Sequence, residues 1–368
     1  MKVAHVYKDV YPPVAGGIEK HIDGIRRGMP DVESDVIVCS RSRLTSVHTV
    51  GTGVEVRVGE LGRLLSTPLA PGFPGRLRSL RADVFHLHMP NPLGELSTLA
   101  ALRGRPIVAS YHADIVSQRR LNPVYLPLQR ACLRRAGAVV VGSLSLLRTS
   151  PALAGMAERA EHVPYGVDLT RFDPERVNAE DREALRRRYG TPLVVALGRL
   201  VHYKGVDQLI AAASSLDASV VIAGGGPLEG HLRDLARSEP RVHLLGSVPE
   251  ADLPLLLAAA DLFVLPSVNR AESFGIATIE AQAMGVPAVV TDVGTGTVEA
   301  IAPGETGVVV PAGDPMALAG AISALLTDPD RRRTMGEAAR RRVLAKHSQN
   351  DQVSRLKAIY GRVIASSG

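Results

Sequence analysis

Residues 193–205 read Leu193-Val194-Val195-Ala196-Leu197-Gly198-Arg199-Leu200-Val201-His202-Tyr203-Lys204-Gly205. Five consecutive apolar residues that end on glycine fit a strand buried on both faces, followed by a tight turn. A helical stretch, Val206–Ser214, comes next, and a second apolar run, Val220–Ala223, ends on Gly224-Gly225-Gly226-Pro227. This is the signature of a parallel βαβ unit, whose ligands bind beyond the carboxyl ends of the strands. The pattern continues in both directions. Strands are expected at Leu193–Leu197, Val220–Ala223, Val242–Leu244, Leu262–Leu265, Ala288–Thr291 and Gly307–Val310, with helices at Leu228–Arg237, Glu280–Met284 and Pro315–Leu326. Upstream, strands are expected at Val3–Tyr7, Val36–Cys39, Val54–Val58, Val84–His88, Ile107–Ser110 and Val139–Val141, with helices at Glu19–Arg27 and Gly94–Leu102.

The two series are separated by 165–191, which holds turn chemistry at Tyr165-Gly166-Val167-Asp168, an Asp173-Pro174 step and a polar, Arg-rich stretch. A chain of 368 residues suits two domains. The expected fold is therefore α/β, with two Rossmann-like doubly wound domains facing a cleft. The expected division is residues 1–165, a linker at 166–190, a second domain at 191–335, and a helical segment at 336–368 that packs back toward the first domain.

The strongest chemical constellation is Ala271-Glu272-Ser273-Phe274-Gly275-Ile276-Ala277-Thr278-Ile279-Glu280-Ala281-Gln282-Ala283-Met284-Gly285-Val286-Pro287. It places one carboxylate in a loop and another inside the helix that follows. Two such groups can grip separate hydroxylated parts of one ligand, while free amides at the helix start hold an anion between them. Either glutamate alone reads as a helix-capping or solvated carboxylate. Arg199 and Lys204 add cations at a strand end, where they can neutralise charge on a departing phosphate. Gly16-Gly17 follows the first strand of the chain and offers the same close backbone approach. No Asp-x-Asp motif is placed to hold a metal at a diphosphate, and no metal is expected.

These motifs resemble the large retaining glycosyltransferase family 4 of GT-B architecture. Leu197-Gly198-Arg199, Lys204-Gly205, the Glu272–Glu280 motif and Val286-Pro287-Ala288-Val289 carry the likeness, which extends from Gly16-Gly17 to Gly304-Glu305-Thr306-Gly307. The resemblance implies that Arg199 and Lys204 bind the donor diphosphate and assist its departure. It implies that Glu272 bonds hydroxyls of the transferred sugar and that Glu280 holds the ribose. The amides of Phe274, Gly275 and Ile276, beside Ser273, would meet phosphate and sugar, and Val248 would pack the base. Gly17, after Gly16, would approach the diphosphate from the opposite domain, and His112 matches a histidine facing the donor sugar. Without the resemblance, a lone histidine after a strand reads as a satisfied loop residue. The co-substrate is then a nucleotide diphosphate sugar, with no separate cofactor.

His86-Leu87-His88-Met89-Pro90-Asn91-Pro92 and Pro164-Tyr165-Gly166-Val167-Asp168 are similar to transferases that add mannose to polyprenyl-diphosphate-linked sugars. Tyr165 stands where asparagine is commoner in the family. On this reading the donor is GDP-mannose, the acceptor is lipid-linked or a saccharide, and His88 lines the acceptor site. His86 is expected to be a strand residue facing a core or an interface. A UDP-sugar donor with a small-molecule or oligosaccharide acceptor is the alternative. An epimerase would need acids and bases near the sugar's C2, and no set is apparent. A non-catalytic nucleotide-sugar binder would be expected to have lost Lys204 or Glu272.

Charge is divided unevenly. Residues 1–168 hold 21 Lys+Arg against 14 Asp+Glu, giving +7, and the remaining 200 hold 22 against 23, giving −1. Arg outnumbers Lys 37 to 6, which is compositional bias, but bias does not explain why acids fail to balance it in one half alone. Two basic, apolar-interleaved stretches, Leu61–Arg81 and Arg119–Arg135, lie in that half. Arg119, Arg120, Arg134 and Arg135 are expected to meet an anionic membrane surface; covering the domain's own core is the competing role. No apolar run is long enough to span a bilayer and no signal segment is read. The expected location is cytoplasmic, peripheral at the inner face of the membrane, with no nucleic-acid partner. Cys39 and Cys132 read as buried thiols of a reducing compartment.

Overall fold

A computed structural model describes residues 1–14, 16–116 and 122–367. The chain divides into two compact units, one of Met1–Pro164 with Gln349–Gly368 and the other of Tyr165–Ser348.

The first unit is built on β1 (Lys2–Val6), β2 (Glu33–Ser40), β3 (Ser46–Val50), β4 (Gly53–Gly59), β7 (Val84–Met89), β8 (Ile107–Tyr111), β9 (Ala138–Val141) and β10 (Ala160–His162). A small ribbon, β5 (Arg63–Leu64) with β6 (Thr67–Pro68), stands apart. The main sheet runs β10-β9-β8-β7-β1-β2-β4-β3. All its pairings are parallel except β3 with β4. β3 was not foreseen: Ser46-Val47-His48-Thr49-Val50 is mostly exposed, and its hairpin turns at Gly51-Thr52. An edge strand of this kind has too few buried residues to announce itself by hydropathy.

Successive residues of the inner strands serve opposite faces. Ala4 and Val6 join one core layer, with Phe85, Leu87 and Tyr111, while Val3 joins the other, with Val84 and Val108. That second layer is closed by the helix Gln349–Ala365, whose Val353, Leu356, Ile359, Tyr360 and Val363 recur at helical spacing. The chain's last helix therefore belongs to its first unit. The preceding helix, Pro329–Lys346, lies in the second unit, so the expected segment 336–368 is split between the two.

The second unit holds β11 (Leu193–Leu197), β12 (Ser219–Ala223), β13 (Val242–Gly246), β14 (Leu262–Leu265), β15 (Ala288–Asp292) and β16 (Gly307–Pro311), all parallel, in the order β13-β12-β11-β14-β15-β16. Leu193, Val195 and Leu197 enter one core layer, and Val194 and Ala196 enter the other. Residues 166–190, expected as a linker, include the helix Ala179–Tyr189. Arg186 on that helix bonds Asp261 at 3.1 Å and the Ala259 carbonyl at 2.7 Å, which fixes it to this unit. The unit is closed where Val167 donates to the His347 carbonyl at 2.8 Å and the His347 ring meets the Tyr165 carbonyl at 2.9 Å.

Each sheet has one point where strand order reverses: between β1 and β7 in the first unit, and between β11 and β14 in the second. Ligands of open parallel sheets bind outside the carboxyl ends of the strands at such a point.

Candidate active site

In the second unit the two strands that flank the switch deliver the predicted charges. β11 ends at Leu197 and leads through Gly198 and Arg199 into a short 3-10 turn, His202–Lys204. β14 ends at Leu265 and leads through Ser267 to Glu272 and the helix Ile276–Ala283. Lys204 Nζ lies 2.6 Å from Glu272 Oε2, with the side chains 15% and 9% exposed. The Ser267 hydroxyl, fully buried, donates to the same oxygen at 3.0 Å. Burial pulls the Lys204 ammonium down, but the charge and hydrogen bond of Glu272, with Tyr203 and a smaller contribution from Glu280, outweigh it and raise its pKa, so the group is held charged. Glu280, half-buried five residues into the helix, thus acts electrostatically on the same ammonium.

The loop that carries Glu272 is pinned through its backbone. The Glu272 carbonyl accepts from Thr295 Oγ1 at 2.6 Å, and the Ser273 carbonyl accepts from the Gly296 amide at 2.8 Å. Gly275 caps the helix at φ +81°, and a Cβ there would lie 2.4 Å from Leu265 Cδ2, so both conformation and space require glycine. Among the described residues the amides of Phe274, Gly275 and Ile276 have no acceptor. Unbonded amides beside an ammonium make a site for an anion. Arg199 is exposed and has no carboxylate partner among the described residues. Val248, half-buried just after β13, packs against the core on this side.

Gly224–Gly226 has a structural explanation. Gly224 takes φ +147°, and a Cβ on it would lie 1.8 Å from the Gly198 carbonyl oxygen, so this turn is glycine to let the Gly198 turn pack against it. Tyr165 is a site residue that the sequence did not assign. Its ring lies 5.0 Å from that of Phe274, its phenol bonds Ser273, and burial, with the Glu272 charge, raises its pKa. Its only sequence signal was the departure from asparagine. Ser267 and Thr295 gave none.

In the first unit, Gly16 and Gly17 begin the helix Gly17–Arg27, where a Cβ on Gly17 would meet nothing within 4 Å. His112 follows β8, is 4% exposed, and its amide bonds the Met89 carbonyl at 2.9 Å. The ring of His21, on the helix that starts at Gly17, meets the His112 ring edge-on at 5.3 Å. His88 does not line an acceptor site: it is fully buried, and both its ring nitrogens bond other histidines. His86 faces the core, bonded to Tyr360 and Ser110 at 2.7 Å each. Arg135 is not directed to a surface partner either. Its guanidinium reaches the carbonyls of Leu102 at 3.0 Å and Arg105 at 3.3 Å, tying down the end of the helix Pro92–Ala101. Arg134 is exposed. Arg119 and Arg120 lie outside the described residues. Among those described, no helix is long and apolar enough to cross a membrane.

Fold and site together define the class: a glycosyltransferase built from two Rossmann-like α/β units, as the GT-B enzymes are. Residues 15–171 match the family described as Glycosyltransferase Family 4, and residues 177–342 match Glycosyl transferases group 1; the chain belongs to this glycosyltransferase family. It is 31% identical over 348 residues to the D-rhamnosyltransferase WbpZ of Pseudomonas aeruginosa, covering 93% of this chain and 91% of that protein. It is 33% identical over 373 residues, 95% of each chain, to the GDP-mannose-dependent monoacylated alpha-(1-6)-phosphatidylinositol monomannoside mannosyltransferase of Corynebacterium glutamicum. Among solved structures, the sucrose-phosphate synthase of Thermosynechococcus elongatus superposes with a TM-score of 0.84 at 22% identity over the whole of both chains, a likeness of fold.

Proposed function

We propose that this glycosyltransferase moves mannose from GDP-mannose to a lipid-linked or saccharide acceptor, with retention of anomeric configuration and without a metal ion. The observation that carries the reading is the charged cluster at the second unit's switch point: Lys204 paired to Glu272, exposed Arg199, and the unbonded amides of 274–276. Arg199, Lys204 and the amides fit a diphosphate, and Glu272 and Glu280 fit hydroxyls on either side of it. As the bond from the sugar's C1 to the phosphate oxygen breaks, the cations take up the developing charge, which a metal would otherwise do. The acceptor oxygen bonds C1 on the same face, and its proton passes to the departing phosphate. His112 and Gly17 are assigned to the donor sugar and the diphosphate, as the resemblance implies.

Mannose and a lipid-linked acceptor are favoured by relatives whose names specify them, among them an O-antigen chain mannosyltransferase of Escherichia coli, 29% identical over the full length of both chains. The surplus of basic residues in the first half favours a cytoplasmic enzyme that docks on anionic membrane. The test is incubation with GDP-mannose, UDP-glucose or GDP-rhamnose, a polyprenyl-diphosphate-linked sugar and excess EDTA. Proton NMR of the product reads sugar and anomer together. Transfer from UDP-glucose alone, an inverted anomer, or a strict need for added magnesium or manganese would each correct the corresponding part.

A further inference from the structure

His5 on β1, His88 on β7 and His112 after β8 are brought together by the register of three adjacent strands. His5 Nδ1 lies 3.0 Å from His88 Nε2, and His88 Nδ1 lies 3.0 Å from His112 Nε2. Burial lowers the pKa of all three rings well below the usual histidine range, with the charge of neighbouring histidines adding to it, so the rings are neutral. A neutral imidazole has one N–H and one bare nitrogen. His88 must therefore donate in one of its bonds and accept in the other, and the protons point one way through all three rings. Two orders satisfy this: Nδ1–H on every ring, or Nε2–H on every ring. The second leaves a buried N–H on His5, which is 1% exposed and has no further bond among the described residues. An orphaned buried donor is the rarer and costlier arrangement. A metal centre fits less well. His5, His86 and His88 form the one group of three possible ligands among the described residues, yet both nitrogens of His86 and of His88 are already engaged.

We propose that His5 and His88 are positioning residues whose two nitrogen-to-nitrogen hydrogen bonds hold His112 in the Nδ1–H tautomer. His112 then meets the donor sugar with a fixed proton and a fixed ring plane, as second-layer partners do for functional histidines elsewhere. This rests on the assignment of His112 to the donor, so the test reads tautomer and activity separately.

The full-length protein is labelled with 15N-histidine, and long-range 1H–15N correlation identifies His112 by the signal lost in His112→Ala. In the parent, His112 Nδ1 carries the proton. His5→Leu removes the order and gives mixed tautomers at His112, and kcat falls about tenfold with donor KM within twofold. His5→Asn, whose amide nitrogen can stand in for Nδ1–H, restores kcat to within twofold of the parent. A parent His112 protonated on Nε2 overturns the proposal, and that spectrum decides even where the variants fail to fold. An unchanged His112 tautomer in His5→Leu overturns it as well. Mixed tautomers with an unchanged kcat would leave the proton order standing and remove His112 from the donor site.

Discussion

Lys204→Met keeps most of the unbranched side chain and removes its charge, leaving the Glu272 carboxylate 9% exposed with, among the described residues, only the Ser267 hydroxyl donating to it. Breaking one side of a buried ion pair costs about 3 kcal/mol or somewhat more, since the remaining charge keeps its desolvation penalty and loses its partner. For a unit the size of Tyr165–Ser348 this is a fall of roughly 10 °C in Tm. If the proposed diphosphate site is right, the same substitution also removes a cation from it and lowers kcat around a hundredfold, about 3 kcal/mol of transition-state stabilisation. The double variant Lys204→Met/Glu272→Gln separates the two effects. With no charge left buried, stability should return to near that of the parent, while turnover stays low. Calorimetry and initial-rate assays on the parent, both singles and the double decide it. A single variant with the parent's melting temperature refutes the buried pair, and a double variant with restored turnover refutes the catalytic role of Lys204.

Three further outcomes are expected. Burial raises the Glu95 carboxyl to about 7, against hydrogen bonds from the Asn91 amide and the Tyr125 hydroxyl that act the other way. A raised folded-state pKa means the contribution is fully present below the unfolded value near 4.5 and is lost as pH rises to about 7, a loss of about 3 kcal/mol. Denaturation midpoints across that window should fall in the parent and stay nearly flat in Glu95→Gln; equal slopes would show that Glu95 is not the group. Gly17→Ala should leave stability unchanged, because a Cβ there meets nothing, yet reduce turnover at least about tenfold where the backbone must approach a diphosphate. Full activity in that variant would remove Gly17 from the donor site. The protein should float with anionic but not neutral liposomes at low salt, and Arg134→Glu should weaken that binding by about 1 kcal/mol or more; indifference to anionic lipid would leave the charge asymmetry compositional.

The parallel sheets were legible because their inner strands bury both faces: Leu193–Leu197 and Leu262–Leu265 are continuous apolar runs that end at turns. The Glu272–Glu280 loop and helix were legible because glycine and two carboxylates mark a local geometry that needs no distant partner. What the sequence hid was long-range. Lys204 and Glu272 are 68 positions apart, and only the strand order β11-β14 brings their loops together. His5 drew no reading from the sequence: it is a buried residue of β1, and its link to His112 depends on the register of β1, β7 and β8. Arg135 looked like surface charge because its true partners are backbone carbonyls, which carry no sequence signal.

Arg199 offers the most direct test of the proposed diphosphate site, because it is exposed and unpaired among the described residues and its loss has little to destabilise. The measurement is the initial rate of GDP release from GDP-mannose with a lipid-linked acceptor, for the parent and Arg199→Ala at matched melting temperature. A drop of around a hundredfold with an unchanged Tm is expected. A rate within twofold of the parent would contradict it.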